Sequence, residues 1–407
     1  MTVSKLQQRK QLTVLGLNSG TSADGLDLAA VRLTRTPRGV KARFVQGTSR
    51  SYPAALREAV LQMADSDAAP LNELVRLDAA LGEFYARSAA GYLRKLEQQG
   101  VRVNLIASHG QTVRHVPESA RTAGYRVNGS LQLGSPERIA RHTGCVVVSD
   151  LRQADVALGN EGAPITVAAM ARLFGDRRES RLIVNIGGMA NHFYLAPGAR
   201  AEAIEAADCG PGNVLCDILA QRLYKKPYDK GGGLALEGQV SKRLLSLLLA
   251  DPFFMRRDGG TTSTGREVFG PAMAERMIDF GREFKLPKKD LLATAAELTV
   301  VAIAEAVWLF ADDDPGVKKL YLTGGGVRNK FITRRLRDIL APLPVVTVKE
   351  LGYDPDLVEA SAYAVMGEAC LREEPLPTRF DGRWQEVMPL SGRLVQPPRR
   401  GSGRLVE

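Results

Sequence analysis

The stretch Gly16-Leu17-Asn18-Ser19-Gly20-Thr21-Ser22-Ala23-Asp24-Gly25-Leu26-Asp27 constrains this chain more than any other. Apolar runs flank it, Thr13-Val14-Leu15 before and Leu28-Ala29-Ala30-Val31 after. Short runs of strand formers around a Gly/Ser/Asp cluster read as strand, turn, strand. Within the twelve residues stand three glycines, two serines, a threonine and two aspartates. Glycine lets a backbone approach a ligand and take positive φ. Amides and hydroxyls in such a turn suit phosphate oxygens. Asp24 and Asp27 repel phosphate, and fit beside it only with Mg²⁺ or water between. No Gly-Lys-Ser/Thr opens a helix here, so the turn is not a P-loop. A plain polar hairpin is the alternative.

At 407 residues the chain is too long for one ordinary domain and predicts two. Apolar residues make up 44% and charged residues 25%, values of a globular protein. No run approaches eighteen apolar residues, so no membrane span is expected. Met1 to Gln11 carries Lys5, Arg9 and Lys10 but no apolar stretch, and reads as a frayed tail and not a signal peptide. Four scattered cysteines, without metal-type spacing, read as reduced thiols in a cytoplasmic protein. The net charge of +10 is spread along the chain apart from Arg393, Arg399, Arg400 and Arg404. Without an aromatic-basic platform it points to anionic small molecules, not to nucleic acid or a membrane.

Residues 41–51 predict a third strand, and 53–66 and 71–99 predict helices, the second stopped at Gly100. Val103 to Ala107 reads as a short buried strand, with Ser108-His109-Gly110-Gln111-Thr112 past its end. Polar residues at that end of a buried strand line crevices in open α/β sheets. His109 there can bind substrate, orient a catalytic group or close the strand. Ser135 is placed as an N-cap with Pro136 at the first helical position, and Gly144 ends that helix. Cys145 to Ser149 is the next strand, delivering Asp150-Leu151-Arg152-Gln153-Ala154-Asp155 as a loop. A carboxylate held there can deprotonate a hydroxyl or water, for ~10²–10⁴ in rate. The bland reading pairs Arg152 with one aspartate, preferentially Asp150.

The second half repeats the outline. Arg181 to Leu195 is strand, turn, strand around Gly187-Gly188, and 203–207 supports a third strand. Asp208-Cys209-Gly210-Pro211-Gly212-Asn213 then leads into a helix, with Asn213 as its cap and Asp208 available to Mg²⁺ or water. Leu234 to Leu249 reads as one helix, 259–267 as a polar loop carrying Arg266, and 291–311 as a buried helix. Gly324-Gly325-Gly326 follows a strand and precedes a helix, where a flat group can lie on the backbone. Asp356 and Glu359 open the last helix as a capping-box-like pair, and from Pro375 the chain is irregular. Two such similar units imply a duplicated fold with a ligand between the halves.

These segments resemble, in order, the anhydro-N-acetylmuramic acid kinases, relatives of the actin/hexokinase/Hsp70-type ATPases. The match runs from about residue 14 to 371. It is carried by Ser19 to Asp27, His109 to Thr112, Asp150 to Asp155, Gly162-Ala163-Pro164, Asn185 to Asn191, Asp208 to Asn213, Tyr228-Asp229-Lys230, Ser263 to Glu267, Gly324 to Gly326 and Glu359-Ala360. The resemblance implies a two-domain, duplicated ribonuclease H-like α/β fold with a central cleft. Residues 1–145 and 146–374 would be its domains, and 375–407 a basic extension. It implies a cytoplasmic phosphotransferase, a homodimer, that uses ATP and Mg²⁺. Such an enzyme opens the 1,6-anhydro ring of the sugar with water and phosphorylates O6. The base falls on Asp155, with Asp150 beside it. Nucleotide contacts fall on Gly20, Thr21, Ser22, Ala23, Asp24, Gly25, Leu26 and Asp27, on Gly187 and Gly188, on Asp208, Gly210, Gly212 and Asn213, and on Gly324, Gly325 and Gly326. Sugar contacts fall on Ser19, His109, Gln111, Arg152 and Glu359. The chain departs from the family pattern at Asn18, where methionine is usual, at Glu161, usually glutamine, and at Thr262, usually lysine. The usual Thr-Gly-Ala ending is also missing. These departures leave open another sugar for the same fold. A nucleotide-binding regulator without sugar chemistry is the reading from a different class.

Overall fold

A computed structural model describes residues 2–20, 22–66, 68–198, 204–254, 268–311, 314, 316–376, 379–380, 383–384 and 391–398. Thr21, Thr262, Arg266 and the rest of 255–267 therefore lie outside the described residues. The chain divides into two compact units, residues 1–173 with 359–407, and residues 174–358.

The first unit runs α1 (Val3–Gln7), β1 (Gln11–Ser19), β2 (Gly25–Thr36), β3 (Gly39–Ser51), α2 (Ala54–Asp65), α3 (Leu71–Gln98), β4 (Leu105–Thr122), β5 (Tyr125–Leu133), α4 (Pro136–Thr143), β6 (Val146–Ser149), α5 (Gln153–Ala157) and α6 (Val167–Phe174). The second runs β7 (Ser180–Ile186), β8 (Met189–Leu195), β9 (Glu205–Pro211), α7 (Val214–Tyr224), α8 (Gly233–Glu237), α9 (Lys242–Leu249), α10 (Pro271–Glu283), α11 (Lys288–Ala311), β10 (Val317–Thr323), α12 (Lys330–Ile339) and β11 (Val345–Thr347). The chain then returns to the first unit with α13 (Val358–Leu371), β12 (Arg379–Phe380), β13 (Arg383–Trp384) and β14 (Arg393–Val395).

Strand order shows the duplication. The first sheet reads β14-β6-β4-β1-β2-β3, with β5 hanging on β4; the second reads β11-β10-β7-β8-β9. In each, three consecutive strands pair antiparallel, β1-β2-β3 and β7-β8-β9. Two later strands then add parallel beyond the first one, β4 and β6 on β1, β10 and β11 on β7. The same order with the same directions is the duplicated, actin-like α/β arrangement expected. In each unit the order reverses beside the first strand, between β1 and β4 and between β7 and β10. Open α/β sheets bind ligands at such switch points.

Burial explains β1. Leu15 and Leu17 join a core with Leu81 and Tyr85 of α3, while Gly16 faces the other way. A Cβ on Gly16 would stand 1.8 Å from the Ala360 carbonyl oxygen, so α13 packs directly on the strand only because glycine is there. A strand covered on both faces is buried without alternation, and β1 is buried from Leu12 through Ser19. In the second unit α11 is the central helix, buried from Leu291 to Val307 except on one narrow stripe. By length and composition it could cross a bilayer, contrary to the expectation that no such segment exists, but it is mostly buried as a core helix.

Several expected elements differ. The strand expected at Val103 to Ala107 begins at Leu105 and runs on to Thr122, because β5 takes over pairing where β1 ends. His109 and Gln111 are thus inside β4. Leu234 to Leu249 is two helices, broken at Gly238, whose Cβ would meet the Lys289 carbonyl oxygen at 2.2 Å. Asp155 sits on α5 and not in a loop. Asp208 lies within β9, which extends to Pro211. The last helix does not open on an Asp356–Glu359 box: Asp356 sits in a short 3-10 turn, Pro355–Leu357, whose cap Asp354 accepts from the Asp356 amide. The amino-terminal tail is partly helical with Leu6 buried, and Gln7 donates to the Leu371 carbonyl at 3.0 Å. The extension after Pro375 is not wholly irregular, since β14 pairs with β6 and buries Ser391. The units divide at 173/174 and 358/359, not at 145/146 and 374/375, because β6 and β14 belong to the first sheet.

Candidate active site

At the end of β6 the backbone turns sharply. Asp150 takes φ +56, a left-handed conformation uncommon outside glycine. Its carboxylate pairs with Arg393 Nε at 2.5 Å, so the salt bridge expected for Asp150 exists, but with the carboxyl-terminal strand and not with Arg152. One turn later Asp155 is 3% exposed. Its Oδ1 accepts from Asn160 Nδ2 at 2.7 Å and its Oδ2 from the Gly162 amide at 2.9 Å. A carboxylate has about four acceptor sites, so two fixed donors orient it and leave lone pairs for another proton.

Arg152 pairs with neither aspartate. Its Nε donates to His109 Nε2 at 2.8 Å and its Nη1 to the Gly162 carbonyl at 2.6 Å. His109 stacks on Tyr363 of α13, with ring centroids 4.5 Å apart. Burial, and then the neighbouring Arg152 charge, hold the His109 pKa well below the usual imidazole value, so the ring is neutral. It is not a proton donor at neutral pH.

Ser19 and Gln111 hold each other. Ser19 Oγ lies 2.6 Å from Gln111 Oε1 and 2.8 Å from the Tyr52 hydroxyl, which lies 2.7 Å from that of Tyr85. Gln111 Nε2 donates to the Gly20 carbonyl at 3.1 Å. This buried chain fixes where the first Gly-rich turn leaves β1; burial pushes the Tyr52 phenol up to about 12. Within that turn Ala23 and Leu26 are core residues, so only their backbone can meet a nucleotide. Gly20, Ser22 and Asp24 are exposed. Asp27 accepts from Ser49 Oγ at 2.5 Å, and Gly25 packs on β3, where a Cβ would stand 2.2 Å from the Arg50 carbonyl oxygen. The unusual Asn18 donates to Glu359 Oε2 at 2.9 Å, tying β1 to the exposed start of α13. Glu161 points to solvent.

In the second unit the Gly187-Gly188 turn accepts the start of α7. The Gly212 and Val214 amides donate to the Gly188 carbonyl at 2.8 and 3.1 Å, and the Asn213 amide to Gly187 at 2.9 Å. Asn213 Nδ2 also donates to Gly187, so the expected side-chain cap is replaced by this bond. These amides are therefore spent inside the protein. Gly210 and Gly212 are buried, whereas Gly188 is exposed and a Cβ there would meet nothing within 4 Å. The triple glycine divides similarly. Gly324, at φ +82, and Gly326 press on Asn185 and Ile186, with Cβ contacts of 2.4 and 2.2 Å. Gly325 is exposed and uncrowded. Asp208 is half-buried on β9, opposite Asn191.

Sequence reasoning thus located the strand ends but gave no role at the site to Asn160, Gly162, Tyr52, Tyr85, Tyr363 and Arg393. For Asn160 and Gly162 a signal existed, a Gly-Asn-x-Gly run just after the acid. The tyrosines carry none, being set by packing.

Most of the chain has clear relatives. A sequence model of the family described as anhydro-N-acetylmuramic acid kinase matches residues 12–381. An anhydro-N-acetylmuramic acid kinase of Salinibacter ruber is 35% identical over 91% of this chain and 93% of its own. One from Gloeobacter violaceus is 39% identical, covering 86% and 90%. One from Pseudomonas syringae is 35% identical, covering 92% and 97%. Solved structures that resemble it include an activator of 2-hydroxyisocaproyl-CoA dehydratase from Clostridium difficile with bound ADPNP. That match has a TM-score of 0.40 at 14% identity, over 89% of this chain and 96% of that one. A ROK family glucokinase from Streptomyces griseus, in complex with glucose and AMPPNP, has a TM-score of 0.32 at 11% identity, over 86% and 97%. By its profile match and by these full-length relatives, the chain belongs to the anhydro-N-acetylmuramic acid kinase family.

Proposed function

We propose that Asp155 is the general base of an ATP-dependent kinase that opens the ring of anhydro-N-acetylmuramic acid with water. Membership of the family gives the reaction; the buried, doubly anchored Asp155 carboxylate is the single observation that carries the assignment. Asp155 takes a proton from water, and the water oxygen bonds to C1 of the sugar. The C1–O6 bond breaks, and O6 attacks the γ-phosphorus of ATP, giving the 6-phosphate and ADP. A carboxylate in a fixed orientation needs no reorganisation as the water is deprotonated.

Taken unit by unit, exposed Gly20 after β1, and exposed Gly188 and Gly325 beside the second sheet's switch point, are proposed as backbone positions open to a nucleotide. Buried Gly210, Gly212 and Gly326, with half-buried Gly324, serve those turns from within. Asn18 and Glu359 offer the sugar a paired amide and carboxylate. Among the described residues no three His, Cys, Asp or Glu side chains converge. That suits Mg²⁺, which usually keeps waters and leans on nucleotide oxygens plus one carboxylate; Asp208 is proposed as that carboxylate. Bound there, the ion would neutralise charge on the transferring phosphoryl group.

The test is turnover of ATP and anhydro-N-acetylmuramic acid in ¹⁸O-water. The product is expected to carry label at C1 and phosphate at O6. Asp155→Asn is expected to lose at least ~10²-fold in kcat while still binding ATP. Full activity in that variant moves the base to another group.

A further inference from the structure

Three hydrogen bonds in series join β4 to Asp155. Arginine has donors only, so His109 Nε2 must be the acceptor in its 2.8 Å contact with Arg152 Nε. The ring proton therefore sits on Nδ1, which donates to the Gly110 carbonyl at 2.9 Å. Arg152 Nη1 donates to the Gly162 carbonyl at 2.6 Å, and the Gly162 amide donates to Asp155 Oδ2 at 2.9 Å. Gly162 is thus held from both sides, its carbonyl by a cation and its amide by the acid. It also takes φ +75, where a Cβ would lie 2.6 Å from Val156 Cγ2, so a side chain here would be strained and would push Val156 aside.

The described partners of the guanidinium are neutral, namely His109, the Gly162 carbonyl and the Tyr363 hydroxyl. Among the described residues Arg152 makes no ion pair. Its planar fork is used for direction, two donors reaching two acceptors on different segments. We propose that Arg152 and His109 are positioning residues for the base. His109 aims the guanidinium from β4, and the guanidinium sets the Gly162 peptide that orients Asp155. Tyr363 keeps the imidazole plane by stacking, so α13 takes part as well. This assigns Arg152 a role different from the sugar contact expected of it.

The inference rests on Asp155 being the base, and the experiment separates the two. Asp155→Asn is measured first; if it turns over normally, the base reading fails by itself. With that variant dead, Arg152→Lys decides. Lysine keeps the charge, but a single ammonium cannot reproduce the fork. A displaced carboxylate of about 1 Å costs on the order of 10² in rate. The expected result is therefore a ten- to hundredfold fall in kcat with KM for the sugar within about twofold. The double variant Arg152→Lys/Asp155→Asn should be no slower than Asp155→Asn alone, because both act on one step.

His109→Gln and His109→Asn give a second reading should Arg152→Lys not fold. A glutamine oxygen reaches the Nε2 position and an asparagine oxygen does not, so kcat should fall further in His109→Asn. Thermal melting and ATP affinity verify that each variant is folded. A raised KM for the sugar with kcat unchanged in Arg152→Lys would make Arg152 a substrate ligand and overturn the proposal. So would unchanged kinetics, or equal kcat in the two His109 variants.

Discussion

Gly212 and Gly188 meet in one turn, yet substitution should affect them in opposite ways. Gly212 has no room: an added Cβ would stand 2.4 Å from the Gly187 carbonyl oxygen and 2.9 Å from that of Gly188. Both atoms are backbone and cannot rotate away. Relief requires the turn to part from the start of α7. That strains three main-chain hydrogen bonds, from the Gly212, Asn213 and Val214 amides. At about 1 kcal/mol net for each, the loss is about 3 kcal/mol. For a unit of this size 1 kcal/mol moves Tm by about 2–4 °C, so Gly212→Ala should melt about 6–12 °C lower in a calorimetric scan. Gly188→Ala meets nothing within 4 Å and should stay within about 0.5 kcal/mol of the parent. Its effect should appear in the KM for ATP instead, on the order of tenfold, about 1.4 kcal/mol, since the methyl stands where the nucleotide is proposed to meet the backbone. A parental melt for Gly212→Ala would refute the crowding argument. An unaltered KM for ATP in Gly188→Ala would remove the turn from the nucleotide site.

Two further outcomes follow from other parts of the molecule. The depressed His109 pKa means that below about pH 6.5 the unfolded chain takes up a proton that the folded chain refuses. Stability should be flat in this respect above pH 6.5 and fall by up to about 1.4 kcal/mol per pH unit below it, until the folded pKa is reached. Urea midpoints at about pH 7.5 and 5.5 measure this, and His109→Gln should remove that part of the slope. Ending the chain at Leu376 removes β14, its three paired positions on β6, and the Arg393–Asp150 contact. The paired strand should account for about 2 kcal/mol, or about 4–8 °C in the calorimetric transition of the first unit. Arg393→Ala alone should cost less than about 1 kcal/mol, because the pair is largely exposed.

Local patterns carried much of the fold. The apolar runs of β1, β6, β7 and β10, and the three-to-four spacing of α3, each depend on residues close in sequence. What failed depended on distant partners. β4 looked finished at Ala107 because Ser108 to Thr112 is polar, but those residues continue the ladder onto β5. Gly238 looked tolerable in a helix until Lys289 took the space beside it. β14 is three residues long and becomes a strand only because β6 is there to receive it. The site divides in the same way. Chemistry picked out the segment Asp150 to Asp155 from its residue types and place after a strand, and the family resemblance put the base on Asp155. Which polar groups hold one another was hidden, since Ser19 with Gln111 and Arg152 with His109 are pairs joined across the sheet. Residue type alone cannot tell a group that faces a ligand from one that secures its neighbour.

The second unit interrupts the first, and this bears on how the chain emerges from a ribosome. Residues 174–358 form one contiguous stretch that can begin packing as soon as it is made. The earlier part must wait for α13 to cover Gly16 and for β14 to close the open side of β6. At 5–20 residues per second, synthesis from Leu173 to Val395 takes roughly 10–45 s. Through that interval an apolar sheet face and an unpaired strand stand open in the nascent protein. Chaperone demand, and sensitivity to premature termination, should therefore fall on the half that is translated first.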